Sequence, residues 1–327
     1  ITGGTLAGSS GGDLVVIQNN PNVVAPPLSI RSVIADNGSA TGLTKSGSGV
    51  LVVATAASYT GTTSVNAGWL QVGEGGTAGS IASSAAVVGG ANAMLVFNRS
   101  DNYGGSYGMP ISGQLGVSQI GSGTLALTGN NTYSGPTSIM AGTLQVGGGG
   151  STGSIAGSSG ISGAAGTTLV FNRSDNYGRS YGMPITGLLN LTQLGTGTLT
   201  LSAANTFSGT TRLAAGGLTV ANANALQYST LDLAAGNAGT ATFSQASTLG
   251  GLAGTSNLSL GSLMLTVGNN RQSTTYGGVL SNGSLTKIGS GTLTLTNAST
   301  YTGTTGITTG VLQLGSGGTV GSVSSSS

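Results

Sequence analysis

Six acids are the residues of this 327-residue chain best suited to catalysis: Asp13, Asp36, Glu74, Asp101, Asp175 and Asp232. Cleavage of a glycosidic bond needs two of them on one site, roughly 5 to 10 Å apart. No two are close in sequence, and Asp101 and Asp175 are equivalent positions of a repeat, expected three or four coils apart at about 4.8 Å per coil. Histidine and cysteine are both absent. That removes His-based triads, thiolate nucleophiles, disulfides and the ordinary zinc sites. A calcium-binding β-roll would show Gly-Gly-x-Gly-x-Asp, whereas Gly147 to Gly150 is followed by no Asp. No catalytic residue, cofactor or metal is expected.

The other side chains able to make contacts recur as a pair. Asn98-Arg-Ser-Asp-Asn-Tyr-Gly-Gly-Ser-Tyr-Gly-Met-Pro-Ile111 returns at Asn172 to Ile185, differing only at Gly105 and Arg179. Arg99, Asp101, Tyr103 and Tyr107, with Arg173, Asp175, Tyr177 and Tyr181, are therefore a candidate contact surface, expected on one face of the molecule, because Tyr and Arg are enriched at interfaces. The competing reading is a loop held by a local Arg–Asp pair and Tyr packing. Trp69, the single tryptophan, stands where an outward residue is expected and is a further candidate contact, although lone exposed apolar residues are common.

These residues are carried by a repeat. Gly121 to Gly147, GSGTLALTGNNTYSGPTSIMAGTLQVG, returns at Gly47 to Gly73, Gly195 to Ala221 and Gly289 to Gly315. Each copy has a second Gly two residues on (Gly49, Gly123, Gly197, Gly291), an aromatic at twelve (Tyr59, Tyr133, Phe207, Tyr301) and a Gly two past it. The module length is 121 − 47 = 74, again 195 − 121 = 74, then 289 − 195 = 94. The chain divides as 1–46 (partial), 47–120, 121–194, 195–288 and 289–327 (partial), read as one continuous structure over 1–327.

Within a module apolar residues alternate at spacing two, as in Leu125/Leu127 and Leu144/Val146, which marks strands with one face inward. Gly-rich turns separate them, and no apolar stripe of helical period is long enough for a helix. Pro21, Pro26 and Pro27 demote 19–28 to loop or edge, and Leu28 to Ile34 resumes the alternation. Short strands repeated in phase predict an all-β parallel β-helix, with about 20 residues to a coil, about fifteen coils and a length on the order of 70 Å. A sandwich is the rival, but it needs no module repeated in phase. Disorder would suit 63 glycines and 4% charged residues, yet 37% apolar residues in regular short runs oppose it.

Net charge is +2, and the eight cations are scattered, so nucleic acid is not an expected partner. No apolar run approaches the roughly 18 residues of a membrane span, and no signal peptide is seen. Eight Asn-x-Ser/Thr triplets stand at Asn37, Asn98, Asn130, Asn172, Asn190, Asn257, Asn282 and Asn297, and in so hydroxyl-rich a chain chance alone accounts for many of them.

The pattern G-x-G-T-L-x-L-x-x-x-x-x-Y-x-G-x-T-x-I-x-x-G-x-L-x-V resembles the autotransporter-associated β-strand repeat of type V secretion passenger domains and related exported bacterial surface proteins. The resemblance implies a right-handed parallel β-helix outside the cell, secreted or on the bacterial outer surface, used as a non-enzymatic stalk, adhesin or fibre. A β-helical carbohydrate-active enzyme or glycan-binding module is the alternative. No translocator barrel is seen in this chain. Ile1 enters in the phase of Ile307 and Ser327 lies about one coil beyond it, with no polar cap apparent at either end. Partners are therefore expected to be further copies, end to end or side by side, and surface glycans or neighbouring cell surfaces.

Overall fold

The computed structural model describes residues 1–20, 27–103, 108–178, 182–234, 239–317 and 320–323. Among them there are strands, turns and bends but no helix. Two compact units divide the chain, Ile1–Thr167 and Thr168–Ser327.

In the first unit the strands stack as coils of a parallel β-solenoid. One sheet runs through Leu28–Ile30, Val50–Val53, Gly68–Val72, Ala93–Phe97, Gly116–Gln119, Thr137–Ile139 and Ile161–Gly163. A second holds Leu14–Ile17, Leu43–Ser46, Thr63–Val65, Val87–Gly89 and Ile111–Gly113. On a third face Thr124–Leu127 pairs with Thr143–Val146. The alternation at spacing two puts Leu51, Leu70, Leu95, Val117, Thr137 and Ile161 directly above one another, all buried. Their burial, at about 25 cal/mol per Å², drives the stacking.

The coil is longer than the sequence spacing suggests. Five steps lead from Leu51 to Ile161 along this column, and (161 − 51)/5 = 22. A regular module is thus about three and a third coils, and the remainder rotates the repeat by one face. Leu43–Ser46 and Thr63–Val65 lie in the second sheet, while Gly116–Gln119 and Thr137–Ile139, their counterparts one module further on, lie in the first. Val50–Val53 lies in the first, and its counterpart Thr124–Leu127 on the third.

The repeated glycines make the corners possible. Gly142 sits at φ 61°, and a Cβ there would collide with the carbonyl oxygens of Gly121 and Gly123 in the coil before it. Gly68, Gly216 and Gly310 repeat this arrangement in their own modules.

The second unit is built the same way. Thr168–Phe171, Asn190–Gln193, Thr210–Leu213, Leu226–Leu233 and Ser247–Gly254 follow one another in a parallel sheet. The last two are longer than the rest, with a register shift between Leu226 and Thr230. These two strands fall in the longest module. Another face carries Thr198–Leu201, Gly217–Val220 and Thr240–Phe243. Leu258–Ser259 pairs separately with Leu280–Ser281.

Candidate interaction surfaces

The twin segments fasten coils. Arg99 directs Nε and Nη2 at both oxygens of Asp101, at 2.9 and 2.7 Å, and Nη1 donates to the Gly79 carbonyl one coil away. Its guanidinium lies 4.6 Å from the centre of the Tyr103 ring, which in turn packs 5.6 Å from Phe97. The Tyr103 hydroxyl accepts from the Ile81 amide at 3.0 Å and donates to Ser80. Arg173, Asp175, Tyr177 and Phe171 repeat the geometry, with Arg–Asp contacts of 2.8 and 2.7 Å and the guanidinium 4.7 Å from the Tyr177 ring centre.

This corrects the expectation that the segments expose both their tyrosines. Tyr103 and Tyr177 are each only 6% exposed, because their backbones bridge to Leu125 and Leu199 and send the rings inward. The Arg99 and Arg173 side chains are nearly covered as well, whereas the carboxylates of Asp101 and Asp175 are partly open to solvent. The paired guanidinium holds each carboxyl below its usual range, chiefly through the side-chain hydrogen bonds. Tyr107 and Tyr181 lie outside the described residues. Trp69 does point outward, 45% exposed, in a column with Val50 and Met94.

The remaining acids with observed contacts are tied to other coils. Asp36 accepts from the amides of Thr41 and Thr60 and from the Thr60 hydroxyl, which keeps its carboxyl low. Asp13 accepts from Thr44, and Glu74 from Ser29 and Arg31. Among the described residues no group of three acids is placed to hold a metal ion, and no helix is long and apolar enough to cross a membrane.

Two internal devices went unnoticed in the sequence. Lys45, Gln119, Gln193 and Lys287 each stand two residues before a repeat's Gly-x-Gly and are buried. Lys45 Nζ donates to the carbonyls of Ser46, Gly47 and Ala67 at 3.0, 2.6 and 3.0 Å. Gln119 Nε2 donates to Gly121 and Gly123, and Gln193 Nε2 to Gly195 and Gly197, at 2.8 to 3.0 Å. Lys287 Nζ reaches Ile288 and Gly289 at 2.6 and 2.8 Å. Each closes the corner by donating to carbonyls of the turn, of which Ser46, Gly123 and Gly197 also accept a backbone amide from Gln18, Thr143 and Gly217. Burial pushes both lysines below the ordinary ammonium range. The regular Lys/Gln spacing was the available signal.

The second device is a hydroxyl relay. Tyr133 meets Thr137 at 2.7 Å, Thr137 meets Ser158 at 2.9 Å, and Ser158 donates to the Gly135 carbonyl. Tyr59, Thr63 and Ser84 repeat it, and burial pushes the Tyr59 phenol up to about 12. Where Phe207 replaces the tyrosine, Thr211 and Ser229 keep the rest.

Coils locked in register around an apolar core, with most of the acids used as fasteners, define a parallel β-solenoid. Residues 43–72, 117–146, 191–220 and 285–314 match the model of the passenger-associated-transport-repeat, so the chain carries four copies of the β-repeat of exported passenger regions. An 84-residue stretch is 43% identical to the adhesin BmaC autotransporter of Brucella suis biovar 1 (strain 1330). That stretch is 25% of this chain and 2% of the relative, so the chain spans a small part of the relative's length. No solved structure matches the chain. The repeat is one associated with passenger transport, and the relative is an autotransporter adhesin.

Proposed function

We propose that this chain is a non-enzymatic segment of a surface adhesin's passenger region, a β-solenoid stalk that presents contact surfaces outside the cell. The observation that carries the reading is the fate of the chemistry-bearing side chains: Arg99, Asp101, Arg173, Asp175 and Asp36 are spent on contacts within and between coils. The adhesin relative and the four repeats support it. Beads coated with the chain are expected to adhere to cell surfaces above uncoated controls, and no turnover is expected on panels of polysaccharides and peptides. Hydrolysis abolished by replacing any one of the six acids would overturn the reading.

A finer proposal is that copies associate with one another. Val15 and Ile17 on Leu14–Ile17, and Val311 and Leu314 on Val311–Leu314, are exposed strand residues of the kind that recruit a further strand. Light scattering is expected to show assemblies that grow with concentration. A strictly monomeric chain would remove the proposal and leave the stalk reading in place.

A further inference from the structure

The ladder on one face of the second unit is interrupted. Thr198–Leu201, Gly217–Val220 and Thr240–Phe243 pair in order, and Leu258–Ser259 pairs with Leu280–Ser281. Among the described residues, no ladder joins Thr240–Phe243 to Leu258–Ser259. At that break lies an open cleft of about 630 Å³, lined by Thr240, Thr242 and Phe243, by Asn257, Ser259 and Ser281, and by the turn at 260–263.

The chemistry of the lining is narrow. No Asp, Glu, Lys or Arg contributes to it, so a phosphate, an acidic sugar or a basic peptide would find no counter-charge. The lining mixes hydroxyls with apolar side chains, Leu260 and Leu263 among them, and each hydroxyl can both donate and accept, as water does around a polyol. Some are held in place: Thr242 Oγ1 lies 3.2 Å from Thr219 Oγ1, and Ser259 Oγ accepts from the Asn282 amide at 3.0 Å. Asn257 accepts from the Val279 amide through Oδ1, which fixes its side chain with the NH2 group as donor. The half-buried Phe243 ring and Leu263 in the turn supply apolar faces. An uncharged ligand that alternates hydroxyls with C–H faces fits this set.

We propose that the cleft binds a neutral oligosaccharide, with a C–H face of one sugar ring against Phe243 and its hydroxyls exchanging hydrogen bonds with Thr240, Thr242, Ser259 and Ser281. The broken ladder also leaves a strand edge that an extended peptide could join. The lining favours the sugar, because its hydroxyls and the Asn257 amide supply side-chain donors and acceptors for a polyol beside apolar faces, whereas strand addition is carried by main-chain hydrogen bonds. The proposal rests on the adhesive reading for its use in the cell.

The test titrates the full chain with neutral hexasaccharides of glucose, galactose, mannose and N-acetylglucosamine, with sulfated and sialylated counterparts and an extended decapeptide as controls, read by saturation-transfer NMR and calorimetry. At least one neutral sugar is expected to bind, and Phe243→Ala to weaken it about tenfold. Because Phe243 is half-buried, the double variant Thr242→Val/Ser259→Ala provides a second arm that keeps shape, and it is expected to weaken binding similarly with an unchanged circular-dichroism spectrum. Binding that survives both variants, binding of charged sugars alone, or capture of the peptide in place of any sugar would each overturn the proposal. Coated beads that adhere to cells while no neutral sugar binds would sink the cleft proposal and leave the adhesive reading standing. Sugar binding lost in the variants, with beads that adhere to nothing, would support the cleft and sink that reading.

Discussion

The segment 98–103 and the cleft along Thr240–Phe243 are opposites. The first holds an Arg, an Asp and a Tyr, the residue types an interface would use, and turns them onto the coils beside it. The second holds hydroxyls, a half-buried ring and the leucines of a turn, carries no charge, and lies where the ladder breaks. In a solenoid with 4% charged residues, an ion pair or a cation–π contact is a scarce directional fastener. Recognition is then left to the places where one coil fails to pair with the next.

The comparison breaks most sharply at the buried tyrosines. Tyr103→Ala and Tyr177→Ala are each expected to cost about 3 to 5 kcal/mol, the range for truncating a buried aromatic. Each also strips the cation–π partner from its arginine. Thermal unfolding should show a large loss for either variant; unchanged melting would mean that the rings are surface groups after all. Next in size comes Arg99→Ala, which takes the guanidinium donors away from the Gly79 carbonyl and the Asp101 carboxylate. A loss of about 1 to 3 kcal/mol is expected. In a double-mutant cycle with Asp101→Ala, a coupling near zero would contradict the staple.

How much of this could be read in advance follows from what each feature depends on. The β-helix was legible because Leu125/Leu127 and Leu144/Val146 alternate in fixed phase with glycines, and burial acts directly on that pattern. The rotation of the module was not, since it depends on a mean coil that exceeds the nearest visible spacing, the one from Leu125 to Leu144. The inward turn of Tyr103 was hidden by a local cause: a single backbone bridge to Leu125 sets which way the ring points. The cleft left no mark at all, for Thr240-Ala-Thr-Phe243 alternates like any paired strand and the break lies in what its neighbour fails to do.

A smaller effect probes the corners. Lys45 and Gln119 do the same work one module apart, so Lys45→Gln is expected to be tolerated and to stabilise by about 1 kcal/mol at neutral pH by removing a buried charge. The pH dependence has a definite sign. The folded lysine titrates below its unfolded value of 10.5, so in that window the unfolded chain binds more protons and stability rises with pH. In Lys45→Gln that rise should shrink, leaving the share due to Lys287. Denaturant titrations of parent and variant side by side, kept below about pH 9, check this, because nearer 10.0 the unfolded phenols of Tyr59, Tyr276 and Tyr301, all raised by burial in the fold, ionise and lower stability.

The smallest expected effect on stability is at Trp69, which is neither a fastener nor part of a break. Its ring stands outward on Gly68–Val72, in register between Val50 and Met94, with Leu70 beside it taking the inward place. The half-exposed ring adds little to the core, so Trp69→Ala should change stability by about 0.5 kcal/mol or less. The informative readout is adhesion. If open surface on an intact ladder also takes part in recognition, coated beads carrying Trp69→Ala should adhere less while melting as the parent does. If the ladder must break before the surface can hold a ligand, adhesion should follow Phe243→Ala and Thr242→Val/Ser259→Ala and ignore Trp69. A Trp69→Ala protein that unfolds would contradict both, because it would make this column part of the core.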